Sequence, residues 1–352
     1  MSLPVVLMES HATRKRRKKA QSWYRRNWKF ILLLSSLLAV FRYMDDFSVV
    51  DIKDKYPAGL HKDYANIDGL PDLTSEFVEP WCFYGKKGKC SCKDPMEAES
   101  RLFKSYWAKA HQFNKKQALE KGKSADVLFL GDSVMEGWNG KSYGHSSPRV
   151  HDVPAIFKKL FTRDGGGQWE GLALGISGDT SPNLLWRIQN GELPTTHTPS
   201  IIWLLIGTND FGNTWCSAEI VVIGILRVVE ELRLRIPDST IVVNGLLPRT
   251  FNRKGYVARG RKRGMIRRAS PAMPSLWDDI EAVNDELKRY CQNHEKVEYF
   301  ETKVFFKDAS VDEDHLKIDK KLMADFLHPT AKGYKLWGED MNTTLSKLIP
   351  RP

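Results

Sequence analysis

The stretch VLFLGDSVMEGW (127–138) begins as a run of apolar residues and then breaks into Gly131, Asp132 and Ser133. Four consecutive apolar residues fit a strand covered on both faces. Three more runs have the same character: GLALGI (171–176), IIWLLIG (201–207) and TIVVNGLL (240–247), with a weaker fifth, VEYFET (297–302). A helical pattern, AEIVVIGILRVVEELRLRI, separates the third from the fourth, and another, SLWDDIEAVNDELKRYCQNH, separates the fourth from the fifth. Ahead of them all, AESRLFKSYWAKAHQFNKKQALEKG carries apolar residues at helical spacing, Leu102, Tyr106, Trp107 and Ala110, and ends at Gly122. Buried strands alternating with helices predict a three-layer α/β domain built on a parallel sheet.

In such a sheet, binding and catalytic groups gather in the loops just past the carboxyl ends of the strands. The first strand ends in Gly131-Asp132-Ser133, the second in GISGDT (175–180), the third in GTND (207–210), and DFLHPT (325–330) follows near the C-terminus. Singly, each has an ordinary explanation. Ser133 can cap a helix, Gly178 can serve a turn, Asn209 can bond its own backbone, and DFLHP can be an acidic cap before a proline turn.

Together they assemble the parts of an acyl-transfer site. Ser133 supplies a hydroxyl nucleophile and His328 a base to take its proton. Asp325, three residues earlier, can hold the imidazole in the right tautomer. The backbone N–H groups of Ser133 and Gly178 and the side-chain amide of Asn209 can receive an oxyanion. Gly131 is expected to let the chain turn sharply at the end of the strand, and Asp132 to be structural. No G-x-S-x-G pentapeptide surrounds Ser133, which excludes the α/β-hydrolase arrangement.

These four blocks resemble those of the SGNH hydrolases, also called GDSL-type esterases. Longer stretches, GISGDTSPNLLWRIQNGELP (175–194), GLLPR (245–249) and DFLHPTAKGY (325–334), resemble the catalytic subunits of the intracellular type I platelet-activating-factor acetylhydrolases. The resemblance covers roughly residues 100–348 and implies a flavodoxin-like fold. It places the nucleophile on Ser133, the oxyanion donors on Ser133, Gly178 and Asn209, and the acid–base pair on Asp325 and His328. It also implies that no metal or organic cofactor is needed, and it makes a homodimer conceivable. Two segments look like insertions: NGKSYGHSSPRVHDVPAIFKKLFTRDGGG (139–167) and the basic TFNRKGYVARGRKRGMIRRASPAMP (250–274). Both follow strand ends and should lie near the mouth of the site, where the second is either a clamp for an anionic substrate or a solvated surface loop.

The net charge of +11 over 352 residues suggests nucleic acid until its distribution is read. Residues 1–30 carry a net +8 and residues 249–268 a net +9, which leaves −6 for the rest. A mildly acidic globular body excludes a nucleic-acid partner. The first basic cluster, RKRRKK (14–19) and RRNWK (25–29), runs into the uncharged FILLLSSLLAVF (30–41). Twelve residues span about 18 Å as a helix against a hydrocarbon core of about 30 Å. Flanking Trp23, Tyr24, Trp28 and Tyr43 at the interface, with Lys29 and Arg42 snorkelling, extend that reach.

The expected organisation is a basic cytoplasmic tail (1–29), a signal anchor (30–43), a cysteine-bearing stalk or extension (44–98) and the hydrolase domain (99–352). The positive-inside bias then places the domain in the lumen or outside the cell, with cleavage of the signal and secretion as the alternative. Cys82, Cys90 and Cys92 cluster with no nearby histidine, so disulfides in an oxidising compartment fit them better than zinc. Five cysteines leave at least one without an intramolecular partner. Asn342 begins a single N-glycosylation sequon. The sequence therefore predicts a membrane-anchored serine esterase that removes a short acyl group, such as acetyl, from a lipid or a glycan. The alternatives are acyl transfer to a second hydroxyl through the same intermediate, or an idle domain kept for docking.

Overall fold

The computed structural model describes residues 90–257, 276–308 and 316–349. The predicted tail and anchor (1–43), Cys82 and most of the second basic cluster (258–268) lie outside them. Among the described residues no helix is long and apolar enough to cross a membrane.

The chain runs α1 (Ser105–Glu120), β1 (Val127–Gly131), α2 (Ser133–Gly137), a small hairpin of β2 (Lys141–Ser142) and β3 (His145–Ser146), and α3 (Val153–Phe161). It continues through β4 (Gly171–Gly175), α4 (Ser181–Gln189), β5 (Ile201–Leu205), α5 (Thr208–Gly212), α6 (Ala218–Arg235) and β6 (Thr240–Asn244), and ends with α7 (Trp277–Gln292), β7 (Val297–Phe300) and α8 (Ala331–Leu348). Each predicted strand is present; β1 runs one residue past VLFL to Gly131, and the other four end one to three residues earlier than their apolar runs. The trailing residues leave the sheet to enter the loops that carry the site.

All five long strands are parallel, in the order β4-β1-β5-β6-β7. Counted within the sheet this is 2-1-3-4-5, the flavodoxin-like order, whose crevice opens where the winding reverses, between β1 and β5. Val127 pairs with Gly171 on one side and Ile201 on the other, and all five residues of β1 are buried. Helices α3 and α8 pack together on one face, where Phe129, Phe157, Phe161, Trp138 and Trp337 interlock as ring pairs. Helices α4, α6 and α7 cover the other.

Three expectations change. Helix α1 starts at Ser105, and Leu102 precedes it at 41% exposure; the buried stripe is Trp107, Ala110, His111, Asn114 and Ala118. Residues 90–98, assigned to the stalk or extension, are bound to the domain: Cys92 is bridged to Cys216 and Ser91 N–H donates to Thr214 O. Cys90 is also disulfide-bonded, and Cys291 is a buried free thiol whose burial pushes it up to about 12. The sequon residue Asn342 lies inside α8, where its Oδ1 accepts from Trp169 Nε1 at 2.9 Å.

Candidate active site

Strand β1 delivers the nucleophile block. Gly131 is required by close approach and not by an unusual backbone angle: a Cβ there would sit 2.2 Å from Leu205 O in the neighbouring strand. The helix cap that follows is Asp132, whose Oδ1 accepts from Val134 N–H at 2.9 Å. Ser133, as the first helical residue, is thereby released from capping. Its Oγ lies 2.9 Å from His328 Nε2.

The turn before α8 builds the other half. Asp325 Oδ1 accepts from the backbone N–H groups of Leu327 (3.1 Å) and His328 (2.7 Å), an Asx-type turn through Phe326 at φ +57°. A positive φ at a phenylalanine is uncommon strain. Here it brings Asp325 Oδ2 to 2.7 Å from His328 Nδ1. Partial burial alone would raise the Asp325 carboxyl, but the hydrogen bonds from the His328 side chain and backbone outweigh it and hold the group well below the usual carboxylate range. An ionised Asp325 can only accept, so the shared proton sits on Nδ1 and Nε2 is left to accept from Ser133.

The structure adds an arginine to this pair. Arg149, from the first insertion, donates through Nη1 to Asp325 Oδ2 at 3.0 Å. The same nitrogen is 3.0 Å from His328 Nδ1, which, being protonated, cannot accept from it. The first predicted insertion borders the site through Arg149, as expected, and 250–257 are the described residues of the second. In these Thr250 N–H donates to Phe326 O, and just ahead of them Arg249 is buried with Nη1 donating to Thr208 Oγ1 at 3.1 Å.

The oxyanion candidates converge from three loops. Ser133 heads α2, and Gly178 holds φ +80° in the loop after β4. Among the described residues the N–H groups of both donate to no acceptor. Asn209, in α5 just past β5, is already engaged: Nδ2 donates to Asp179 O at 2.9 Å and to Asp132 Oδ2 at 3.3 Å, while Oδ1 accepts from Asn213. Of its two hydrogens, the one facing Asp132 is the weakly held one. Burial pushes the Asp132 carboxyl up to about 7, with Asp179 and Asp210 adding to the rise and the Val134 N–H opposing it.

A buried charged frame holds these loops. Arg187 on α4 is fully buried and donates to Gly131 O and Leu174 O at the ends of β1 and β4, to Asp179 Oδ2 at 2.9 Å, and to both oxygens of Glu192. Glu136 on α2 accepts from Ser177 N–H and Oγ and from the Tyr143 and Gly144 N–H groups, tying the loop that carries Gly178 to the β2–β3 turn. None of these was picked out from the sequence. Arg187 and Glu192 had one visible signal, a charged pair inside the largely apolar LLWRIQNGEL; Arg149 had none.

Residues 129–336 match the GDSL-like Lipase/Acylhydrolase family. The chain is 31% identical over 229 residues to platelet-activating factor acetylhydrolase IB subunit alpha2 of Homo sapiens, covering 65% of this chain and 80% of that protein. It is 35% identical over 129 residues to the alpha1 subunit of Bos taurus, covering 37% and 46%. A solved structure described as a platelet activating factor from Streptococcus pneumonia shares the fold at a TM-score of 0.50 and 19% identity, over 68% of this chain and 93% of that one. The match spans more than half of the chain and contains the blocks that meet at Ser133 and His328, so this protein belongs to the GDSL-like lipase/acylhydrolase (SGNH) family and is a carboxylic ester hydrolase.

Proposed function

We propose that the protein is a serine esterase that removes a short acyl group, acetyl in the first instance, from an oxygen ester of a glycan or a lipid. The observation that carries this reading is the continuous chain from Ser133 Oγ to His328 Nε2 (2.9 Å) and from His328 Nδ1 to Asp325 Oδ2 (2.7 Å). As Ser133 Oγ attacks the ester carbonyl, its proton passes to Nε2, and ionised Asp325 stabilises the imidazolium. The oxyanion is received by the N–H groups of Ser133 and Gly178, with Asn209 turning the hydrogen it holds toward Asp132. Collapse of this intermediate breaks the ester C–O bond, and His328 gives its proton to the departing alkoxide. Water, deprotonated by His328, then hydrolyses the acyl-serine and returns the enzyme with the free acid.

The acetyl assignment draws on the acetylhydrolase names of the relatives. The proposal also places the domain on the luminal or extracellular side of a membrane, held by residues 30–43; the Cys92–Cys216 bridge supports an oxidising compartment. Labelling of the full-length protein with a fluorophosphonate probe tests the chemistry. Wild type labels on Ser133 and Ser133→Ala does not; a folded wild type that takes up no probe rules out the serine mechanism. Release of acetate from acetylated xylan compared with an acetylated glycerophospholipid separates the two substrate classes, and deletion of residues 1–43 with loss from the membrane pellet tests the anchor.

A further inference from the structure

We propose that Arg101, in the segment ahead of α1, is the positioning residue that aims the Gly178 N–H at the oxyanion; this rests on the serine-esterase reading above. The peptide joining Ser177 to Gly178 is planar and trans, so its C=O and N–H point to opposite sides. Arg101 Nη1 donates to Ser177 O at 3.3 Å and to Asp179 Oδ1 at 3.0 Å. One guanidinium therefore grips the carbonyl of the very peptide whose N–H is the donor, together with the carboxylate of the next residue. Nη2 donates to Tyr106 OH at 2.8 Å, which fixes the guanidinium in turn.

The contact is close. A Cβ on Gly178 would lie 3.2 Å from Arg101 Nη2 and 3.3 Å from Nη1, so the guanidinium rests against the bare Cα. Glycine at φ +80° makes that approach possible and equally permits rotation of the adjoining peptide. The hydrogen bond to Ser177 O is what opposes that rotation from this side. The Arg101 side chain is 12% exposed, so water does not readily replace it as a donor.

Arg101 lies outside the family match at 129–336. Its segment is held in place by Glu99, whose N–H donates to Pro182 O and whose carbonyl accepts from Asn183 Nδ2, and by the bridge from Cys92 to Cys216. The segment ahead of α1 thus completes the site.

The test is steady-state turnover of p-nitrophenyl acetate by full-length wild type, Arg101→Ala, Arg101→Gln and Arg101→Lys, each checked by circular dichroism and thermal melting. Arg101→Ala is expected to lower kcat about 10- to 100-fold, the scale of a misaimed catalytic group, with KM within about twofold of wild type. Arg101→Lys, which keeps a donor for Ser177 O, recovers most of that loss, and the rate of fluorophosphonate labelling follows kcat. If Arg101→Ala fails to fold, the Gln and Lys variants carry the comparison, with Lys expected above Gln. A folded Arg101→Ala with wild-type kcat, a loss confined to KM, or a Lys variant no better than Ala or Gln overturns the assignment. Wild type that labels on Ser133 while the variants match it removes Arg101 alone; wild type that does not label removes the esterase reading and this one together.

Discussion

Ser133 and His328 stand 195 residues apart in the chain, and the hydroxyl of one lies 2.9 Å from Nε2 of the other. Groups that act as one unit lose activity together when either is removed. Ser133→Ala and His328→Ala are each expected to lower kcat for p-nitrophenyl acetate by about 10⁴-fold or more, and the double variant to be no worse than the single ones. Losses that multiply in the double variant would show that the two side chains act independently.

Asn209 bridges Asp132 and the backbone of Asp179 before any substrate arrives. Removing its side chain costs the candidate oxyanion donor and three internal hydrogen bonds. Asn209→Ala should lower kcat about 10²-fold and destabilise the fold by about 1–3 kcal/mol. Stopped-flow acylation and urea unfolding read the two effects separately; a full loss of stability with unchanged acylation would make the amide purely structural.

Asp132 and Asp210 are both pushed up to about 7, in each case first by burial. A carboxyl raised in the folded state binds protons that the unfolded chain has released. Its contribution to stability is therefore complete below about pH 4, the unfolded value, and is lost as pH rises through about 7. Unfolding free energy measured in urea should fall between pH 5 and pH 8. Asp132→Asn should be less stable throughout, since its amide offers one acceptor where the carboxyl offers two, but its slope with pH should be shallower. An unaltered slope would exclude Asp132 as a titrating group in that window.

Arg187 and Glu192 are both fully buried and paired at 2.6 Å. Truncating one partner leaves the other charge stranded in the interior. Arg187→Met should cost about 3–5 kcal/mol, and pairing it with Glu192→Gln should cost less than the sum of the single changes. Calorimetric melting of the four proteins completes the cycle; strict additivity would show that the pair is not coupled.

The bridge between Cys92 and Cys216 closes a loop with a sequence separation of 124 residues. Loop-closure entropy puts its contribution at about 5 kcal/mol. The Cys92→Ser/Cys216→Ser variant should unfold at correspondingly lower guanidinium chloride concentration, and, because the bridge anchors the segment bearing Arg101, should also lose activity before it melts. Wild-type activity up to the unfolding transition would show that the segment holds its place without the bridge.

The sequence by itself determined the sheet and the positions of its reactive ends. Continuous apolar runs such as VLFL and IIWLL are strands because only a sheet covered on both faces buries them, and that pattern is local. Ser133, Gly178 and Asn209 could be picked out as site candidates for the same reason, each standing in a short polar block just past such a strand, and Asp325 and His328 as an Asp-x-x-His pair ahead of the last helix. The partners of those groups were decided by the tertiary structure. Whether Ser133 or Asp132 caps α2, that Arg149 reaches Asp325 across 176 residues, that Arg101 reaches Ser177 across 76, and that Cys92 pairs with Cys216 all depend on where long side chains end after the sheet has closed. An arginine has the same letter in the sequence whether it is solvated or buried, and only the fold sets which carboxylate or carbonyl lies within reach of its guanidinium.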